Sequence, residues 1–124
     1  MALLNEEKSD AEKDLTLRWY KVRNRIKEDF GQRPDINAML YLIGMNEVGI
    51  IKDDWEKEEK QNLMHVAICK LMEPDGHFRF AGLDEDGWPH YLALEAAPKI
   101  SLKEQDELLK RQIVLYFEAL WGKD

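Results

Sequence analysis

The chain has 124 residues and a net charge of −7, and 35% of its residues are charged against 44% that are hydrophobic. A chain of this length makes one domain, and this composition excludes both a disordered chain and a membrane-embedded one. The acidic balance argues against a general binder of nucleic acid or of anionic membranes.

The cysteine content and the first residues predict the compartment. Cys69 is the single cysteine, so no internal disulfide can form, which is typical of a reducing compartment. Residues 1–14 carry five acidic residues and no long apolar run, unlike a secretory signal peptide. We therefore expect a cytoplasmic single domain over residues 1–124, with residues 1–8 as a flexible tail.

The first two predicted helices have clear start and stop signals. Ser9 and Glu12 have capping-box spacing, and an apolar stripe with helical period then runs to Phe30, followed by Gly31. The second helix covers residues 36–48, between a capping aspartate and a glycine. Because the second helix is apolar almost all round, we expect its surface to be buried, in part by another chain.

The third and fourth helices are predicted from their caps and apolar faces. The third runs from Asp54 to Met72, with Asp53 or Asp54 as its cap, and changes from polar to apolar along its length. The fourth begins at the Ser101–Glu104 capping box and ends at Gly122. The expected architecture is mainly α (α+β), with about four helices and one β-hairpin between the third and the fourth.

The hairpin is predicted from alternation and from a turn signal. Apolar and polar residues alternate over 77–80, and Asp86–Gly87 is typical of a two-residue type I′ turn. This turn predicts a register in which Glu85 faces Trp88, Asp84 faces Pro89, Leu83 faces His90 and Tyr91 faces Gly82. Pro89 then falls at a non-hydrogen-bonded position, where its missing N–H does no harm.

Most common enzyme signatures are absent from the sequence. It contains no GxGxxG, GxxxxGK[ST], HExxH, GxSxG or CxxC motif, so we predict no cofactor. Ser9 and Ser101 are the only serines and are explained as helix caps, which disfavours a serine nucleophile.

The alternative of a small enzyme or ligand-binding protein rests on one carboxylate and two histidines. Glu47 lies near the end of the apolar second helix, where burial would raise its pKa into the range of a general acid or base. His65 or His90 would be its partner in a cleft between the hairpin and the helices. The competing interpretation places Glu47 in a frayed last turn that faces water.

A metal site is also a weak alternative. His65 and Cys69 are four residues apart on the third helix, a spacing that can bring two ligands to one metal. A structural zinc site needs four ligands, so His77 or His90 would have to complete it. The competing interpretation is a buried thiol beside a half-exposed imidazole, and we predict no metal.

Basic residues crowd the first helix. Residues 16–30 hold five basic and two acidic residues, a net charge of +3 within an acidic chain. A nucleic-acid-associated protein that uses this helix is therefore a further alternative, although the acidic background disfavours it. The other interpretation is a set of side chains that are solvated or paired within the chain.

Three apolar residues predict an interaction surface. Trp88 lies beside a turn, Trp121 lies in the last turn of the fourth helix, and Leu42 lies on the all-apolar second helix. Aromatic anchors at the ends of elements favour an interface. The preferred prediction is a small acidic protein-interaction module that forms a homo-oligomer or docks on another protein, with the second helix or the hairpin at the interface.

Overall fold

The predicted elements follow one another in the expected order in a computed structural model, which describes residues 10–94 and 102–122. Their bounds are α1 Asp10–Phe30, α2 Ile36–Val48, α3 Lys57–Met72, β1 Phe78–Leu83, β2 Pro89–Ala93 and α4 Leu102–Trp121. The prediction of a mainly α fold, with four helices and an antiparallel hairpin between the third and the fourth, is confirmed. The tail predicted for residues 1–8 and the caps predicted at Ser9 and Ser101 lie outside the described residues.

Local signals set the bounds of α2. The Asp35 side chain accepts a hydrogen bond from the backbone N–H of Ala38 at 2.8 Å, which caps the first turn. Gly49 takes a left-handed conformation with φ 85°, and its N–H bonds the carbonyl of Met45 at 2.8 Å. A glycine is needed there because side chains strain this conformation.

The start of α3 differs from the prediction. Neither Asp53 nor Asp54 caps the helix; its N-cap is Glu56, whose backbone N–H donates to the Glu59 side chain at 3.0 Å. The helix starts later than predicted because of Trp55, which is 5% exposed and donates its indole N–H to the Met45 sulfur at 3.2 Å. Anchoring this ring against α2 keeps the chain extended up to Glu56.

The main core lies where the four helices meet. Each helix contributes two or three buried side chains, and α2 and α4 contribute three each. Its buried members are Val22, Ile26, Met39, Leu40, Ile43, Ala67, Leu71, Ile113, Val114 and Phe117. The apolar second helix is thus covered largely by its own chain. The apolar stripe predicted on α1 runs from Ala11 to Phe30, and both of these end residues are exposed, Phe30 by 64%.

A smaller cluster ties the hairpin loop to the helices. Its buried members are Met45, Trp55 and Leu63, and Trp88 packs against them. The rings of Trp55 and Trp88 meet edge to face with centroids 5.9 Å apart. This contact fixes the loop end of the hairpin beside the N-terminal half of α3.

The packing of α2 on α3 depends on Gly44. A Cβ atom at this position would lie 2.2 Å from the backbone oxygen of Leu63. The backbones of α2 and α3 are therefore so close at Gly44 that no side chain fits between them.

The hairpin register differs from the predicted one by one residue beside the loop and by two residues beyond a bulge. The observed partners are Phe78–Ala93, Arg79–Leu92, Phe80–Tyr91, Gly82–His90 and Leu83–Pro89, with a bulge between Phe80 and Gly82. The predicted two-residue turn is wrong because Asp84 organises a longer loop. Its backbone N–H donates to the carbonyl of Trp88 at 2.9 Å and its carbonyl accepts from Gly87 at 3.0 Å. Gly87 has φ 86°, as in a three-residue loop that ends in a left-handed residue. Pro89 still occupies a non-hydrogen-bonded position, next to the Asp84–Trp88 bond.

Candidate functional site

A cleft of about 460 Å³ separates α3 from the hairpin, and we refer to it as the α3–hairpin cleft. Its helical wall is made by residues spaced three or four apart, which share one face of α3. Its other wall is the loop and β2. The residues that bear chemistry on these walls are Glu59, His65, Cys69, Asp84, Asp86, Trp88, His90 and Tyr91. The cleft therefore brings together His65 and His90, which lie far apart in the sequence.

His65 and Cys69 contact each other on the helical wall. The Cys69 sulfur lies 3.5 Å from Nε2 of His65, and the cysteine is 1% exposed. Burial raises the pKa of the Cys69 thiol, which favours the neutral form over the nucleophilic thiolate. Within residues 10–94 and 102–122, no three histidine, cysteine, aspartate or glutamate side chains converge as metal ligands. The pair thus supplies two of the four ligands that a structural zinc ion needs.

Asp84 organises the loop wall of the cleft. One carboxylate oxygen accepts the backbone N–H groups of Asp86 and Trp88, both at 2.9 Å, and the other lies 2.9 Å from Nε2 of His90. The hydrogen bond from His90, followed by that from Trp88, lowers the pKa of the Asp84 carboxyl. All of these contacts hold the turn, so Asp84 and His90 are explained by loop structure.

Glu47 lies outside this cleft. Its carboxylate accepts a hydrogen bond from the hydroxyl of Tyr116 at 2.6 Å, and that hydroxyl accepts one from Asn46 at 2.6 Å. Burial, and then the bond to Glu47, raises the pKa of the Tyr116 hydroxyl. The residue lines a separate groove beside Glu73 and Tyr91. The structure therefore does not place Glu47 in the α3–hairpin cleft with His65 and His90.

The cleft runs along one edge of β2. Pro89, His90 and Tyr91 all line it, although successive side chains of a strand point to opposite faces. A cleft that is lined by side chains from both faces of a strand must lie along an edge of that strand. No residue of β1 is among the described residues that line the cleft. The edge in question is therefore the one that β1 leaves unpaired.

The pattern of hydrogen bonds between β1 and β2 shows which backbone groups of β2 face that edge. Leu94 donates its N–H to the carbonyl of His77 at 3.0 Å, so the backbone groups of Leu94 point toward β1. In an antiparallel pair, the backbone N–H and C=O groups of successive residues point alternately toward the partner strand and away from it. Tyr91 and Ala93 therefore direct their N–H and C=O groups away from β1. No hydrogen bond joins these groups to another residue in the part of the chain that the structure describes.

The outer edge of β1 is blocked, in contrast to that of β2. The outward N–H of Phe80 donates to the Glu73 carboxylate at 3.2 Å. The Nζ atom of Lys70 lies 3.9 Å from the second oxygen of the Glu73 carboxylate. A charged side chain over a strand edge is one way in which proteins prevent further strands from adding.

The three residues predicted at an interface each pack within the chain. Trp88 is half-buried against Trp55. Trp121 is half-buried against Phe117, with ring centroids 5.2 Å apart, and the guanidinium of Arg25 lies 4.2 Å from its ring centroid. Leu42 packs against both core clusters and lines a groove of about 390 Å³ between α1 and α2.

Basic side chains of α1 also make contacts within the chain. Arg18 donates from Nε to Glu118 of α4 at 2.9 Å, which lowers the pKa of that carboxyl. Arg23 donates to the carbonyl of Pro34 at 2.8 Å. These contacts draw part of the basic charge of α1 into internal pairing.

Glu73, Tyr91 and Ala93, which lie at the two outer edges of the hairpin, are not among the site residues predicted from the sequence. Which strand edge is free depends on where α3 lies, and the sequence does not state this. One signal was available, because no lysine, arginine, aspartate or glutamate interrupts residues 89–94. Natural edge strands are usually protected by such charges.

Comparisons of the chain with protein-family models, with curated proteins and with solved structures gave no match. Among the helices described here, none has both the length and the apolar character to cross a membrane.

Proposed function

We propose that this protein is an interaction module that binds an extended segment of another polypeptide by adding it as a strand to β2. One observation carries the proposal. Tyr91 lines the α3–hairpin cleft and Ala93 follows it on the same strand edge, and the outward backbone groups of both have no partner among the described residues. In strand addition, main-chain hydrogen bonds supply affinity and the flanking pockets supply specificity.

The surroundings of this edge support the proposal. A two-stranded ribbon is marginal by itself, and a third strand would extend it. The α3 wall stands beside the edge, so an added strand would pack its side chains against a helix. Since Glu73 covers the outer edge of β1, β2 offers the more accessible position.

A second copy of the chain is another possible occupant of the edge. The homo-oligomer expected from the sequence stays a prediction, and α2 no longer motivates it because its buried residues are covered within the chain. Two copies that each carry a net charge of −7 repel one another, which disfavours this occupant. Light scattering over a concentration series measures whether a second copy binds.

A display library of random peptides tests the proposal. Selection on the immobilised protein should enrich related sequences, and synthetic versions of these should bind in titration. Ala93→Pro removes an outward N–H while the inward bonds of β2 are kept, so it should weaken binding about fivefold to tenfold. Ala93→Ser keeps the N–H and is the matched control. If selection enriches nothing and the protein is monomeric, the proposed function is wrong.

The catalytic alternative has less support from the geometry. An acid–base mechanism with Glu47 needs its histidine partner within hydrogen-bond reach, and the partner that binds Glu47 is Tyr116. A cysteine mechanism needs a thiolate, whereas burial raises the pKa of Cys69. We therefore place the interaction module first and a ligand-binding or catalytic role of the cleft second.

A further inference from the structure

Three carboxylates line the α3–hairpin cleft. Glu59 stands on the helical wall, and Asp84 and Asp86 stand on the loop wall. No lysine or arginine is among the described residues that line it. We infer that the segment bound there is a basic one, an extended stretch that directs lysine or arginine side chains into the cleft; this inference rests on the proposed strand addition.

Two of these carboxylates have acceptor capacity left for a ligand. Asp84 uses both of its oxygens on the loop and on His90. Glu59 uses one oxygen on the backbone of Glu56 and keeps the other. The Asp86 side chain makes no hydrogen bond with another described residue. Glu59 and Asp86 therefore line the cleft from its two walls, and each keeps a carboxylate oxygen for a cationic side chain.

Aromatic rings beside the carboxylates suit the same kind of ligand. Trp88 and Tyr91 line the cleft. The stem of a lysine or the plane of an arginine can lie on such a ring while its charge reaches a carboxylate. The combination of two carboxylates and two rings favours a basic side chain over an acidic or a purely aliphatic one.

The acidic lining of the cleft argues against β2 of a second copy as the occupant. Residues 89–94 contain no lysine or arginine, so pairing β2 with its own copy would place no cation between Glu59 and Asp86. A basic segment of a different protein meets both the backbone and the charge requirement.

Titration with two designed peptides tests this inference. The first alternates lysine and valine and the second alternates glutamate and valine, so that both are extended and differ in charge. The lysine peptide should bind and the glutamate peptide should not. Glu59→Gln and Asp86→Asn should each weaken binding about threefold, and the double variant about tenfold, because partly exposed ion pairs are weak. Glu59→Gln keeps an acceptor for the Glu56 amide, so α3 keeps its cap.

Matched controls separate a specific site from general charge attraction. Glu58→Gln makes the same change on the exposed surface of α3, outside the cleft, and should leave binding unchanged. Equal loss in Glu58→Gln and Glu59→Gln would mean unspecific attraction and would overturn the inference. Equal binding of both peptides would also overturn it.

The outcomes also distinguish this inference from the proposed function. If library selection yields acidic or uncharged sequences whose binding is lost in Ala93→Pro, strand addition stands and the basic partner is wrong. If the lysine peptide binds Ala93→Pro as tightly as it binds the unaltered protein, strand addition itself is wrong.

Discussion

Replacement of Gly44 by alanine tests the closest helix contact in the fold. The new Cβ atom would meet the backbone of Leu63, with the oxygen at 2.2 Å and the carbonyl carbon at 2.7 Å. An ordinary contact needs about 3.4 Å, so α2 and α3 must separate by roughly 1 Å. A backbone group cannot turn aside as a flexible side chain can.

The expected loss of stability follows from three contributions. Overpacking a filled interior costs about 1–3 kcal/mol. A gap of this size forfeits a quarter to a half of the dispersion energy across the interface, about 1–2 kcal/mol more for buried side chains such as Met39, Ile43 and Leu63. Alanine returns about 1 kcal/mol through its higher helix propensity. We therefore expect Gly44→Ala to lower the free energy of unfolding by about 1–4 kcal/mol.

Urea denaturation followed by tryptophan fluorescence and by circular dichroism measures this loss. Asn37→Ala is the control, because Asn37 is exposed on the same helix and its replacement should change the free energy of unfolding by about 0.5 kcal/mol or less. If Gly44→Ala is as stable as the unaltered protein, the close approach of α2 to α3 is wrong. If it is more stable, helix propensity outweighs packing at this position.

Three further predictions concern the hydroxyls and the loop. Burial raises the pKa of Tyr91 to about 12, so the folded state keeps this proton while the unfolded state loses it near pH 10. The free energy of unfolding should therefore fall as the pH rises from about 10 to 12. Over the same pH range, the urea midpoint of Tyr91→Phe should fall less than that of the unaltered protein. Tyr116→Phe removes the hydroxyl that joins Glu47 to Asn46, and should lower the free energy of unfolding by about 1–2 kcal/mol in the same urea assay; an unchanged value would mean that this bond contributes nothing. Asp84→Ala removes the acceptor of two loop amides, so hydrogen exchange at these amides should quicken while exchange in the helices is unchanged. Slow exchange in this variant would show that another group holds the turn.

The sequence predicts α2 better than α3 for a physical reason. Asp35 and Gly49 act through contacts within a few residues, so the bounds of α2 follow from local chemistry. The start of α3 depends on Trp55, whose ring is buried against Met45 of another helix. A tertiary contact of this kind overrides two aspartates that are good caps in isolation.

The same distinction applies to the hairpin and to the cleft. Asp86–Gly87 correctly indicates a turn, but the carboxylate of Asp84 selects the longer loop, and this shifts the register. The alternative of a Glu/His site placed Glu47 with His65 or His90 in one cleft; both histidines line the α3–hairpin cleft, and Glu47 lines a separate groove. Their lack of contact with Glu47 depends on the angle at which the hairpin crosses α3, which no local pattern specifies.

The pairing of α1 with α4 has a consequence for synthesis on the ribosome. Val22 and Ile26 of α1 are buried in the same cluster as Ile113 and Val114 of α4, and Arg18 binds Glu118. At about 5–20 residues per second, α1 waits roughly 5 to 20 s after it is made before α4 is complete. During this interval its apolar stripe has no final partner, and the basic side chains beside the stripe keep the nascent segment hydrated. Folding of this domain is therefore expected to be completed after translation of α4, with α1 as a segment that chaperones can bind in the meantime.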